Sequence, residues 1–373
     1  MARLGEIFTI SSGGTPNKNE KLYYINGTIP WVKTGDLKDK YVQKGIECIT
    51  EEGLNNSSAK LFPKDTVLVA MYGATIGACS ILSYEASTNQ ACAALLPCKD
   101  VIPEYLFYFL SGRKDQFIKD GVGGAQPNIS AGYLKNVEFE LVSLGEQQKV
   151  IDRLSKVDDL ISFRKQQLSK LDELVKARFV EMFGLPVSNT MNWETEKMQS
   201  IAPSQNYLGE MPDEVWLLNL DMIESQTGRI IDYLIVPKDE IGNSTCVFDD
   251  STILYSKLRP YLNKVVIPNR CGYATSELVP LKPNSFKLNR EYLAYMLRSD
   301  DFVTMISEKV AGAKMPRVSM NDFRNFEVPI PPIEVQNEFA AFVKQIDKSK
   351  FGIQQSLEKL ETLKKSLMQQ YFG

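Results

Sequence analysis

The sequence predicts an α+β protein of two homologous halves, each a mixed globular part followed by a long helix. Three observations carry this. First, displaced by 189 positions, residues 127–184 fall on residues 316–373 without a gap, and fourteen of the 58 pairs are identical. The identities include Ser130/Ser319, Asn136/Asn325, Glu138/Glu327, Gln147/Gln336 and Asp158/Asp347. A repeat of about half the chain is too long for a solenoid unit and points to duplicated domains. Second, the late part of each half carries an apolar seam of period 3.5. Third, the earlier parts hold short β-rich runs separated by turns, without repeated βαβ spacing.

In chain order, residues 1–145 form the first globular part, with β-rich runs at 66–71 and 91–96 and a helix at 103–111. The first long helix occupies 146–184. Its seam reads Val150, Leu154, Val157, Ile161, Arg164, Leu168, Leu171, Val175, Arg178, Met182, and Gly184-Leu185-Pro186 is its stop signal. Residues 185–333 repeat the globular part, with β-rich runs at 216–220, 253–255 and 264–268 and a helix at 289–298. Trp216 and Asp221 repeat the spacing of Trp31 and Asp36, and both tryptophans are expected in the core. The prolines of 328–332 lead in extended form into the second long helix, 334–373. Its seam is Phe339, Val343, Ile346, Lys350, Ile353, Leu357, Leu360, Lys364, Leu367, Tyr371. Gly352 is an interior weak point of about 1 kcal/mol. Two matched seams in one chain can bury each other as a coiled coil roughly 55 Å long.

Composition narrows the function. The chain contains no histidine, which removes Ser-His-Asp and Cys-His nucleophile systems, histidine-ligated zinc and a histidine general base. Its six cysteines form no CxxC pair, as in a reduced, cytoplasmic protein. The opening Met-Ala-Arg-Leu-Gly-Glu lacks a signal-peptide core, and no apolar run reaches the roughly 18 residues of a membrane helix. The net charge of −3 gives no overall hint of a nucleic-acid partner.

No catalytic constellation emerges. The P-loop pattern GxxxxGK[ST] is absent, and Gly121-Val122-Gly123-Gly124 precedes an extended proline segment rather than a helix. Ile330-Pro331-Pro332-Ile333 lacks the acidic or amide residue and the aromatic that flank Pro-Pro in amino-methyltransferases. Glu194-Thr195-Glu196-Lys197 has no partner carboxylate of a metal nuclease and reads as a solvated charge run. The chain is expected to be non-catalytic.

Several phrases add to this frame. They are Ser12-Gly13-Gly14-Thr15-Pro16, the run 29–37 with Trp31 and Asp36, Met71-Tyr72-Gly73-Ala74-Thr75, Thr88-Asn89-Gln90 and the run 123–130. The second half has Lys257-Leu258-Arg259-Pro260-Tyr261-Leu262-Asn263-Lys264, Thr275-Ser276-Glu277 and Pro331-Pro332 followed by Gln336. In order and duplication, these resemble the DNA specificity subunit of type I restriction–modification systems, over essentially the whole chain. The resemblance implies two target recognition domains, 1–145 and 185–333, each reading one half of a bipartite double-stranded DNA site. It implies that the spacer helices, 146–184 and 334–373, pack as a long antiparallel coiled coil in a pseudo-two-fold arrangement. These helices would set the distance between the readers and dock two modification (methyltransferase) subunits. S-adenosylmethionine, ATP and Mg would sit on partner subunits, with restriction (motor-nuclease) subunits completing the enzyme. Three other readings remain: a coiled-coil structural adaptor without DNA specificity, the specificity chain of another restriction or phage-defence system, and a self-sufficient nuclease or methyltransferase.

No segment is strongly basic; residues 185–333 carry 15 basic and 19 acidic side chains. Phosphate and base contacts must therefore come from local clusters. In the second half these are Lys257, Arg259 and Lys264, with Lys314 and Arg317. Arginine can bond guanine O6 and N7 bidentately, which favours Arg259 and Arg317. Glu277 can accept from cytosine N4, or simply cap a turn. In the first half the candidates are Tyr72, Gly73, Thr75, Asn89, Gln90, Gln126 and Asn128. Gln126 and Asn128 suit adenine, while Gly73, Gly123 and Gly124 admit close backbone approach. The contrasts Gly73/Arg259 and Gln126/Lys314 imply two different half-sites.

Overall fold

The structure is a computed structural model that describes residues 1–44, 46–122, 128–311 and 315–373. The chain divides into two compact units, Met1–Arg164 with Ser356–Gly373, and Lys165–Gln355. Each unit holds one globular part and a stretch of both long helices.

In the first unit, one antiparallel sheet runs in the order Ile10–Ser12, Cys92–Leu95, Val67–Ala70, Cys79–Ile81. A second runs Cys48–Ile49, Ile29–Val32, Ala86–Thr88, Leu61–Phe62, and its pair of Ile29–Val32 with Ala86–Thr88 is parallel. Period-two alternation explains how the sheets share a core. Val67, Val69, Ala93 and Leu95 turn to the layer that contains Tyr105, Leu106, Phe109 and Leu110 of the helix Pro103–Gly112. Leu68, Ala70, Cys92 and Ala94 turn the other way, to Val32, Phe62 and Ala86 of the second sheet. Strands buried on both faces read as continuous apolar runs, as 66–71 and 91–96 do.

The second unit repeats this scheme. Val265–Val266, Ile253–Ser256 and Leu278–Leu281 form an antiparallel sheet. Leu234–Pro237, Glu214–Leu218, Gly272–Thr275 and Thr245–Phe248 form the other, again with the tryptophan-bearing strand in the parallel pair. Ile253 and Tyr255 face the helix layer, and Leu254 faces Trp216 and Phe248. Trp31 and Trp216 are both core residues, each 2% exposed. The strand expected at 216–220 lies instead at Glu214–Leu218, because Leu220–Met222 closes into a tight turn. The one expected at 264–268 shortens to Val265–Val266 between a left-handed Asn263 and Pro268.

The long helices are Leu144–Phe183 and Ile333–Phe372. Ser143 and Glu146 form a reciprocal cap at the start of the first, each receiving the other's backbone N–H. Gly184, at φ 72°, ends it. All twenty seam positions are buried or half-buried. In the first unit the helices run antiparallel, with Arg153 donating to Tyr371, Lys364 paired to Asp158 and Arg164 donating to Ser356. In the second unit they are again antiparallel, through Lys350–Asp172 and Arg178–Glu338. Each unit is closed by a helix end. Phe372 packs edge-on against Tyr105 at 5.3 Å, and Phe183 against the equivalent Tyr292 at 4.7 Å.

One ion pair gives the second unit a pH dependence. Burial opposes ionisation of Asp249, but hydrogen bonds from Ser251 and Lys282 outweigh it and lower the carboxyl to about 2. A depressed pKa stabilises the fold above the unfolded value near 3.8 and loses that contribution as pH falls through about 2. The contribution at neutral pH is about 1–2 kcal/mol, given the partial exposure of Lys282. Acid titration of unfolding in Asp249→Asn is expected to show a shallower loss between pH 4 and 2 than the parent chain. Superimposable curves would contradict this.

Candidate nucleic-acid interface

In the second unit the strand Ile253–Ser256 runs out into an exposed loop held on two sides. Lys257 N–H donates to the Glu277 carbonyl at 3.0 Å, and the Lys257 carbonyl accepts from Val318 N–H at 2.9 Å. Arg259 N–H donates to the Pro316 carbonyl at 2.8 Å. The sequence-distant residues 257–259, 277 and 316–318 thus meet on one surface. Arg259 sits in the left-handed region, φ 50° and ψ 64°, and opens the tight turn Pro260–Leu262. For a residue with a Cβ this costs about 1–2 kcal/mol. Asn263 closes the turn, also left-handed, and its buried side chain donates to the Arg298 carbonyl at 2.9 Å.

The first unit builds the same loop from different residues. Met71 N–H donates to the Ala91 carbonyl at 2.8 Å, and the Met71 carbonyl accepts from Ile129 N–H at 3.0 Å. Tyr72 bridges Asn128, which also exchanges two backbone hydrogen bonds with Val122. Gly73 and Gly77, at φ 67° and 75°, are left-handed with the same spacing as Arg259 and Asn263, and the Gly73 carbonyl accepts from Ile76 N–H as the Arg259 carbonyl accepts from Leu262 N–H. The backbone bonding therefore matches Gly73 with Arg259, Asn128 with Arg317 and Ala91 with Glu277. One frame carries neutral or small side chains in one unit and charged ones in the other.

The charges in the second unit are partly committed to each other. Arg317 donates to Glu277 through Nη2 at 2.8 Å and Nε at 3.3 Å. Arg317 holds the Glu277 carboxyl below its usual range, against the effect of partial burial. Arg259 is exposed, and among the described residues its guanidinium has no hydrogen-bond or ion-pair partner. Lys257 lies half-buried beside it.

Other expected site residues fall less simply. Lys264 turns inward and donates to the Leu220 carbonyl at 2.6 Å, and burial lowers its pKa. Gln90 accepts from Thr15, and Asn89 N–H donates to the Val32 carbonyl at 2.9 Å, extending the parallel strand pair. Thr75 is half-buried and donates to the Tyr72 carbonyl at 3.3 Å. Gln126, Lys314, Gly123 and Gly124 lie outside the described residues.

Two further residues join this surface that sequence reasoning did not single out. Gln226, at φ 70°, donates from its side chain to the Tyr261 carbonyl at 2.9 Å and from its backbone to the Leu262 carbonyl at 3.0 Å. Tyr261 is half exposed beside Arg259. Its place in the Arg259-Pro260-Tyr261 phrase was a usable signal; Gln226, 35 residues away from Tyr261, offered none.

Comparison with known proteins follows the same lines. The family model described as the type I restriction modification DNA specificity domain matches residues 1–173 and 222–364, one stretch in each half. The type I restriction enzyme MjaIX specificity subunit of Methanocaldococcus jannaschii is 24% identical over 402 residues, covering 99% of this chain and 91% of that protein. The EcoDI specificity subunit of Escherichia coli is 23% identical, covering 72% and 69%. A solved chain from work on assembly and conformational transition of the type I R-M system aligns with a TM-score of 0.62 at 15% identity, covering 100% of this chain and 96% of that one. The S subunit from M. genitalium aligns at 0.55 and 15%, covering 98% and 94%. The structural likenesses speak to fold alone. The sequence match spans most of the chain and both copies of the repeat, and on that basis the chain belongs to the type I restriction modification DNA specificity family.

Proposed function

We propose that this chain is the DNA-reading subunit of a type I restriction–modification enzyme, each unit reading one half of a split duplex site. The observation that carries this is the duplicated loop frame with exchanged side chains: one scaffold, built twice, presenting different chemistry. Two readers of unlike chemistry suit an asymmetric bipartite sequence, as paired half-sites suit dimeric DNA binders. In this reading the long helices set the gap and dock two methyltransferase subunits, and motor-nuclease subunits join them in the cytoplasm. S-adenosylmethionine, ATP and Mg belong to those partners. The chain itself transfers and cuts nothing, which incubation of the purified chain with DNA, metal and S-adenosylmethionine tests: turnover contradicts it.

Methylome sequencing of cells expressing the chain with its modification subunit is the direct test. The expected outcome is methylated adenine in a two-part motif with a fixed gap, whereas methylation without such a motif overturns the proposal. A second expectation follows from charge. With a net charge of −3, and with Lys264 and Arg317 already engaged within the fold, the isolated chain is expected to bind DNA weakly. Salt-sensitive, sequence-selective retention on a filter is expected only with modification subunits present. Tight specific binding by the chain alone contradicts this.

A further inference from the structure

We propose that Arg259 is the specificity-determining residue of the second unit and reads a guanine through the major groove. This rests on the reading of the chain as a DNA specificity subunit and names one chemical partner within it.

The backbone at 259 is fixed independently of any side-chain contact. Its N–H is bonded to Pro316, its carbonyl accepts from Leu262 N–H at 2.9 Å, and Pro260 restricts the next residue. The matched position in the first unit is glycine, the residue this geometry prefers. An arginine in its place, exposed and without a partner among the described residues, needs a reason outside the fold. Its neighbour Arg317 is different, because both of its contacting nitrogens already face Glu277. Among the described residues, Arg259 is thus an unpaired guanidinium on the loop, on a turn whose backbone is already hydrogen-bonded. A planar fork with parallel N–H donors matches guanine O6 and N7 in the major groove and no other base edge as well. The Glu277 carboxylate already holds Arg317 through two hydrogen bonds. The first unit, with Gly73 at this position, reads no base with a side chain here.

The test uses the complete complex with modification subunits. The wild-type motif is expected to contain a guanine in one half-site that becomes degenerate in Arg259→Gly, with discrimination falling roughly 5–150-fold. The other half-site and the gap stay unchanged. Glycine fits the left-handed turn, so folding is preserved, and a thermal melt checks this. Arg259→Lys keeps the positive charge and is expected to weaken the guanine preference, since an ammonium lacks the planar fork. Duplexes with 7-deazaguanine at that base are expected to weaken the parent complex and leave Arg259→Gly unaffected. An unchanged motif in Arg259→Gly overturns the proposal. So does a uniform loss of binding with the motif intact, which marks a phosphate contact. Absence of any two-part motif in the wild type instead overturns the underlying reading.

Discussion

Removing residues 165–171 together with 351–357 is expected to shorten the gap in the methylated site by about three base pairs. Seven residues are two helical turns, or about 10.5 Å, against 3.4 Å per base pair. The deletions must be paired, because the helices run antiparallel within each unit. Asp172 pairs with Lys350 in the second unit and Lys364 with Asp158 in the first, so a deletion in one helix alone would shift the register of these retained pairs. Seven residues also preserve the 3.5-residue seam and turn a helix by only about 20°. Three base pairs of duplex turn through about 100°, so the shortened complex is expected to methylate more slowly as well. Methylome sequencing reads both effects. An unchanged gap in an active complex overturns the role of the helices as spacers.

The long helices were the most legible part of the sequence, because their signal is local and repeated. Every seam position named from periodicity is buried or half-buried, including the polar Arg164, Arg178, Lys350 and Lys364. Strands such as Val67–Ala70 were legible as apolar runs, yet their partners were not, since pairing joins residues far apart in sequence. The parallel pairing of each tryptophan-bearing strand is one example. The loops proposed to read DNA fell between these cases. Phrases rich in glycine, arginine and tyrosine drew attention to Gly73 and Arg259, but not to the 40-residue separation bridged by Arg317 and Glu277. Lys264 looked like a surface cation from sequence, whereas its chain lies along the core edge and its ammonium satisfies a carbonyl. Local composition proposes which groups are available; only the fold decides which of them are already used.

The identity Gln147/Gln336 illustrates the same limit and leads to the second large effect. As a pair in the repeat it was visible, but its role was not. Both side chains are fully buried. Gln147 Oε1 accepts from Ile102 N–H at 2.9 Å, and its Nε2 donates to the Asp100 and Val142 carbonyls at 2.8 and 2.9 Å. Gln336 does the same with Asn289 N–H and the Lys287 and Pro331 carbonyls, at 2.8, 2.9 and 2.7 Å. Each glutamine ties the start of a long helix to the loop before the short helix on the sheet. Leucine fills similar space but leaves one backbone N–H and two carbonyls without these partners, at about 1–3 kcal/mol each. Gln147→Leu and Gln336→Leu are therefore each expected to lose about 3 kcal/mol or more, the first from the first unit and the second from the other. Because two units need not unfold together, hydrogen exchange resolved by segment is the better measurement. Glutamate is expected to fare no better, since it keeps the acceptor, loses both donors and brings a charge into a buried site. Protection in Gln336→Leu equal to that of the parent across residues 287–336 would mean that water replaces the side chain. The glutamine would then be a local filler and not the tie between helix and domain.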